Sequence, residues 1–399
     1  MDCTVSNSDL PVAFAVPYGY CVHFTEGLFA PGNPLLAQFL GDAAARPPAR
    51  CLVALDAGLV EAWPRLADAV GAYARAHADA LRLTRPPVVL AGGEAAKNSF
   101  EVAYRVIRLA REDHLCRQSF IVAAGGGAFL DAVGFAAALV HRGMRLVRVP
   151  TTVLAQNDSG VGVKNGLNLR GVKNFIGTFA PPAAVFNDSD FLRTLPRRDW
   201  VAGAAEAFKV GIIRDAAFLA WLCDGAQALG QGDEALMRRL VRRCARLHVE
   251  HIQSGGDPFE SGSARPLDFG HWAGHKIESL SCNELRHGEA VAIGMAIDLL
   301  YAAGLGYITS EAAEGVIAAM VSVGLPVWHD CLDAADPAGR RLILNGLEEF
   351  REHLGGVLHV TYPRPLGRGV EVTAVDDAGV VAAIERLRRL AGRAATLRE

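Results

Sequence analysis

The chain has 399 residues, 51% of them hydrophobic and 21% charged, with a net charge of −3. That length asks for two domains rather than one core. The charge balance offers no general attraction to nucleic acid or to an anionic membrane.

Eight cysteines are scattered without a CxxC pair, which suggests reduced thiols in a cytoplasmic protein. The opening "MDCTVSNSDLPVAF" lacks the basic-then-apolar order of a signal peptide. The most apolar run, "AVAIGMAIDLLYAAGLG", is interrupted by Asp298 and reads as a buried helix, not a membrane span. Five lysines stand beside 35 arginines. A retained lysine therefore marks a place where a compact ammonium is wanted.

In chain order, "RCLVALDAG" (50–58) predicts a buried strand and "AWPRLADAVGAYARAHA" (62–78) a helix. "PPVVLAGGE" (86–94) and "SFEVAYRVIRLAREDHL" (99–115) repeat that pair. So do "SFIVAAGGG" (119–127) and "AFLDAVGFAAALVHRG" (128–143), and "RLVRVPTT" (145–152) is a fourth strand. The alternation predicts an α/β, Rossmann-like nucleotide-binding domain with a mostly parallel sheet, over residues 1–190. Residues 151–190 cross over and are rich in Gly, Asn and Pro. Helical spacing then recurs at 199–215, 234–252, 269–280, 287–304, 311–324 and 378–395. This predicts an all-α domain over 191–399, with a cleft between the two.

Chemistry concentrates in "LDFGHWAGHKIESLSCNELRHGEA" (267–290). His271 and His275 share a helix face, and His287 opens the next helix. Two histidines and a carboxylate from elsewhere would make a catalytic zinc site with one open position. An HxxxH pair alone reads more simply as helix-surface histidines. In "AGAAEAFKVGII" (202–213), Glu206 and Lys209 lie on one face of a helix with apolar flanks. Buried there, they need strong partners, such as a metal and a substrate.

"GGGAFLD" (125–131) follows a strand and opens a helix, which suits a pyrophosphate. "GGEAAKN" (92–98) is a second turn at the same sheet edge, and Asp56 ends the first strand within reach of a ribose. "PTTVLAQNDSGVGVKNGLNLRGVKNFIGTF" (150–179) carries two of the five lysines among glycines, a pattern suited to cradling a phosphorylated polyol.

These motifs in this order, together with "FLRTLPRRDWVAGAAEAFK", resemble the dehydroquinate-synthase-like sugar phosphate cyclases from Asp56 to about residue 365. The resemblance implies an NAD site at Asp56, Glu94, Lys97, Gly126, Gly127, Asp131, Thr151, Thr152, Lys173, Phe191 and Thr194. It implies a divalent metal, zinc or cobalt, on Glu206, His271 and His287. Asp158, Lys164, Asn174, Lys209, Glu260 and His275 would face substrate. The family forms dimers, and Arg142 would reach the phosphate of a neighbouring subunit. The implied reaction oxidises one hydroxyl transiently, eliminates phosphate, returns the hydride and closes the ring by an aldol step.

The chain departs from dehydroquinate synthases proper. Asp268 stands where they carry asparagine in "LNFGH". Arg265 is displaced by one residue, and Glu250 or His251 replaces a substrate-gripping lysine. His353 stands for a C-terminal lysine. These changes disfavour an acidic substrate and are similar to the EboD-type, valiolone-synthase-like branch, with sedoheptulose 7-phosphate as the expected substrate. The competing readings are 3-dehydroquinate synthase acting on a heptulosonate phosphate, a metal-dependent polyol dehydrogenase, and a nucleotide sensor without turnover.

Overall fold

A computed structural model describes residues 10, 12–170, 172–255, 259, 268–282, 284–353 and 356–396, without the side chains of His353 and of residues beyond 392. The first half runs β1 (Cys21–Thr25), α1 (Leu35–Ala43), β2 (Ala49–Asp56), α2 (Ala57–Ala62), α3 (Leu66–Ala76), β3 (Leu81–Leu83) and β4 (Val88–Leu90). It continues with α4 (Glu101–Glu112), β5 (Phe120–Gly125), α5 (Gly127–Leu139), β6 (Arg145–Pro150), the hairpin β7 (Lys164–Leu169) and β8 (Val172–Phe179), and β9 (Ala184–Asp188).

The main sheet has seven strands in the order β1-β9-β6-β5-β2-β3, with β4 also paired to β2. Every pairing in it is parallel. β3 pairs with the start of β2 and β4 with its end, so the two share one edge. Helices cover both faces, which is why β5, FIVAAG, is apolar or small throughout and wholly buried. Leu36, Leu40, Val70 and Tyr73 of α1 and α3 pack on one face. Val102, Val106, Phe129 and Val133 of α4 and α5 pack on the other.

The second half holds α6 (Arg197–Ala202), α7 (Ala204–Arg214), α8 (Ala216–Asp224), α9 (Ala226–Gln231), α10 (Glu234–Ser254), α11 (His271–Leu280), α12 (His287–Gly304), α13 (Ser310–Val323), α14 (Asn345–His353) and α15 (Asp377–Thr396). It has its own core, centred on α12, which is buried from Gly288 to Ala302.

Three differences from the expected elements have physical causes. The helix expected over 62–78 is broken around Pro64, which supplies no N–H to a preceding turn. The sheet gains β1, β3 and β9, short strands whose few residues carry little periodic signal. The helical half is not all-α: an antiparallel hairpin, β10 (Val360–Pro363) and β11 (Gly369–Val372), closes it, with β10 buried throughout. No helix among the described residues is long and apolar enough to cross a membrane.

Candidate active site

Three helices of the second half bring the metal-ligating candidates together. α11 and α12 pack very closely because a Cβ on Gly294 would stand 2.1 Å from the Gly270 carbonyl oxygen. Asp298 of α12 then accepts hydrogen bonds from Gly270 N at 3.0 Å and Trp272 Nε1 at 2.9 Å, bracketing His271. Glu289 accepts from Arg286 N at 2.8 Å and fixes the start of α12, where His287 sits. The rings of His271, His275 and His287 form a triangle with centroid separations of 5.3, 5.5 and 5.8 Å.

Glu206 of α7 enters this triangle from below. Its Oε1 lies 3.8 Å from His271 Nε2 and 3.9 Å from His287 Nε2, is fully buried, and has no hydrogen-bond partner. Its Oε2 lies against Lys209 Nζ. His271 Nδ1 faces the Phe269 carbonyl at 3.1 Å, so its Nε2 is left as the lone-pair nitrogen. An orphaned carboxylate oxygen between two imidazole nitrogens is the donor set of a divalent metal. A second cluster, His275, Glu278 and His287, shares His287. Both oxygens of Glu278 are already engaged, by Lys173 at 2.5 Å and His287 at 3.4 Å, so the first set fits an ion better.

The electrostatics favour a cation. Burial pushes the Glu206 carboxyl up, against the pull of Lys209. Burial alone would lower the Lys209 ammonium, but Glu206 and Asp158 outweigh it and keep it protonated, with Asp268 adding to them. Burial also opposes the charge on Asp158, yet Lys209 and His248 more than offset it and hold this carboxyl below the usual range. Three carboxylates thus gather round one ammonium, and a divalent ion would correct the excess.

The other cluster lies along the carboxyl ends of the parallel strands. Asp56 ends β2 and caps α2 through Gly58 N at 2.8 Å. Gly93 has a φ of +63° and faces open space, a conformation and a clearance that suit glycine. α5 starts after Gly126 with no side chain capping it, so its first N–H groups are available to an anion. Thr151 N bonds the Gly125 carbonyl at 3.0 Å, and Thr152 Oγ1 accepts from Ala155 N at 3.1 Å. Lys97 Nζ lies 2.6 Å from Asp131 Oδ2, and Asn168 Nδ2 donates to Glu94 Oε1 at 2.7 Å. Phe191 and Thr194 both meet Trp63, by a 5.7 Å ring contact and a 2.7 Å hydrogen bond. A glycine-lined strand edge with an uncapped helix start fits a dinucleotide.

Two family models match the sequence: 3-dehydroquinate synthase N-terminal over residues 87–202 and 3-dehydroquinate synthase C-terminal over 203–340. The chain belongs to the 3-dehydroquinate synthase family of sugar phosphate cyclases. A 3-dehydroquinate synthase of Paracoccus denitrificans (strain Pd 1222) is 36% identical over 295 residues, 73% of this chain and 79% of that protein. A 2-epi-5-epi-valiolone synthase of Streptomyces glaucescens is 35% identical over 364 residues, 90% of this chain and 88% of that one. The solved 2-epi-5-epi-valiolone synthase of Streptomyces hygroscopicus subsp. jinggangensis 5008, with NAD+ and Zn2+ bound, superposes with a TM-score of 0.82 at 30% identity. It covers 95% of this chain and 99% of that chain.

Within this family frame, the expected residues divide. Glu206, His271 and His287 converge, with His275 beside them and Lys209, Asp158 and Asp268 around them. Asn174, expected at the substrate, bonds Lys97 on the strand-edge side, and its φ is +53°. Lys173, expected at NAD, pairs with Glu278 in the helical half. Lys164 opens β7, with its carbonyl accepting from Arg148 at 2.8 Å. Arg142 is exposed just beyond the far end of α5. It stands about 20 Å, one 13-residue helix, from the Gly127 edge, so within one chain it is remote from the site. Glu260 and Arg265 lie outside the described residues, as does the His353 side chain.

Several site residues were not singled out in the sequence. His248 Nδ1 lies 2.8 Å from Asp158 Oδ1, and Asn157 Nδ2 donates to the Gly203 carbonyl at 2.8 Å. Arg148 is fully buried and holds the loop after Asp158 through Gly162 O and Asn165 Oδ1, each at 2.7 Å. Glu278 follows His271 by seven residues, two helical turns, and that spacing could have flagged it.

Proposed function

We propose that this chain uses NAD and a divalent metal, zinc or cobalt, to cyclise a seven-carbon sugar phosphate with an uncharged end, sedoheptulose 7-phosphate, to a valiolone-type cyclitol. The observation that carries the substrate class is the crowd of Asp158, Glu206 and Asp268 about the single Lys209. A divalent ion would offset the carboxylates that hold it, but Asp268, standing where dehydroquinate synthases carry a neutral asparagine, would repel a substrate carboxylate and not a neutral sugar end. The 35% identity to a valiolone synthase over 90% of the chain supports the same reading.

When bound, NAD accepts and returns a hydride, and the metal polarises the carbonyl formed in between. Glu206, His271 and His287 hold the ion; the strand-edge residues hold the dinucleotide. Lys209, kept protonated by its carboxylates, donates to a substrate oxygen beside the metal. His275, the exposed member of the histidine triangle, carries the proton for phosphate departure. Lys164, Asn174 and Glu260 complete the substrate contacts. Two copies pair as a homodimer in which Arg142 serves the partner's phosphate.

The second reading is 3-dehydroquinate synthase, favoured by the 36% identity to such an enzyme. The test is phosphate release with NAD and zinc from sedoheptulose 7-phosphate and from the heptulosonate 7-phosphate, with products read by mass spectrometry. Release from the first alone, giving a phosphate-free seven-carbon cyclitol, is the expected result. Release from the second alone overturns the substrate class, and net NADH accumulation from a polyol overturns the cyclase.

A further inference from the structure

His271 and His287 are oriented by different kinds of partner. His271 Nδ1 faces a backbone carbonyl, that of Phe269, at 3.1 Å. His287 Nδ1 faces a carboxylate, Glu278 Oε2, at 3.4 Å. The second oxygen of that carboxylate, Oε1, lies 2.5 Å from Lys173 Nζ. Glu278 is on α11, His287 on α12 and Lys173 on β8. The chain of contacts therefore runs from the hairpin of the nucleotide half, through one buried carboxylate, to a metal-ligating ring.

We propose that Glu278 is a positioning residue for the metal, fixing the His287 ring so that Nε2 points at Glu206 Oε1, and that Lys173 pins Glu278 for this task. The argument rests on the reading of Glu206, His271 and His287 as the ligand set. Glu278 is 3% exposed, so its carboxylate needs both partners. With Nδ1–H donated to Glu278, the lone pair of His287 is confined to Nε2, the atom 3.9 Å from Glu206. A carboxylate also makes the ring a stronger donor than a carbonyl does, so His287 is the adjustable ligand of the pair. Lys173 makes that adjustment depend on the hairpin.

The test measures zinc affinity by competition with a chromophoric chelator, on the full chain without substrate. Wild type is expected to bind one equivalent; failure to do so overturns the ligand set itself, and with it this inference. E278Q keeps the volume and an acceptor oxygen but removes the charge, and is expected to bind zinc about 10–100-fold more weakly. Its melting temperature without metal separates this from loss of fold, and E278A serves if E278Q does not fold. K173M keeps the carboxylate and loses the pin, so its affinity should fall between the two. Wild-type affinity in E278Q overturns the proposal while leaving the ligand set intact. Wild-type affinity in K173M removes Lys173 from it.

Discussion

Glu206 and Lys209, three residues apart on α7, form a buried ion pair that uses only one carboxylate oxygen. The other, Oε1, is aimed at two imidazole nitrogens. Removing the lysine leaves a buried carboxylate with no cation unless a metal supplies one. Lys209→Met is therefore expected to cost about 3–5 kcal/mol in metal-free protein. The loss should be clearly smaller with saturating zinc. Urea unfolding with and without the ion measures both, and an equal loss would mean that Glu206 is not a ligand.

Metal binding should be linked to protons through one histidine. Burial opposes a charge on His287, but Glu278 and Glu206 outweigh it and raise its pKa. Burial and the charge of Lys209 hold His271 well below the usual range, so it is already neutral. Zinc must displace the proton from His287, and affinity should fall as pH drops through the raised His287 value. Zinc binding should therefore release protons, and the release should grow as the pH falls. Calorimetry in buffers of different ionisation enthalpy reads it, and zero release would assign the ring a neutral state.

Asp298 gives the fold its own pH dependence. Burial raises its pKa from 3.8 to about 7, although Trp272 and Gly270 donate to it. The folded state then holds a proton that the unfolded chain has lost, so stability falls as pH rises from about 4 to about 7. The loss is at most roughly 4 kcal/mol. Chemical unfolding of metal-free protein across that window should show this slope, and Asp298→Asn should remove it.

Arg142 allows the proposed dimer to be tested by complementation. Arg142→Ala and His287→Ala homodimers should each be nearly inactive. Mixed and re-associated, they should recover about a quarter of wild-type activity, because half the dimers are hybrids with one intact site. No recovery would place Arg142 outside the partner's active site.

The sequence was most legible where periodicity and chemistry coincide. "HGEAVAIGMAIDLLYAAG" marks α12 at both ends, because its core-facing residues continue through every turn. The metal candidates could be read because their residue types are costly to bury without a purpose. Partners joined only by tertiary structure were not legible: nothing near Asp158 announces His248, ninety residues away, and Lys173 and Glu278 are 105 apart. The crossover 151–190 was opaque for another reason. Its glycines and asparagines serve a π-turn, a hairpin and a short inner strand, none of which leaves a long apolar pattern.

The two family models meet at Gly203, just after α6 has entered the helical half. Side-chain contacts across that seam include Asn157 to Gly203, His248 to Asp158, and Lys173 to Glu278. A chimaera spliced at Gly203 from two relatives would have to rejoin Trp200 and Val201 to the helical core and could still lack a working enzyme. Each parent would have to contribute the matching member of every pair, so the halves of these proteins are interchangeable parts only when they are drawn from lineages that share the same couplings.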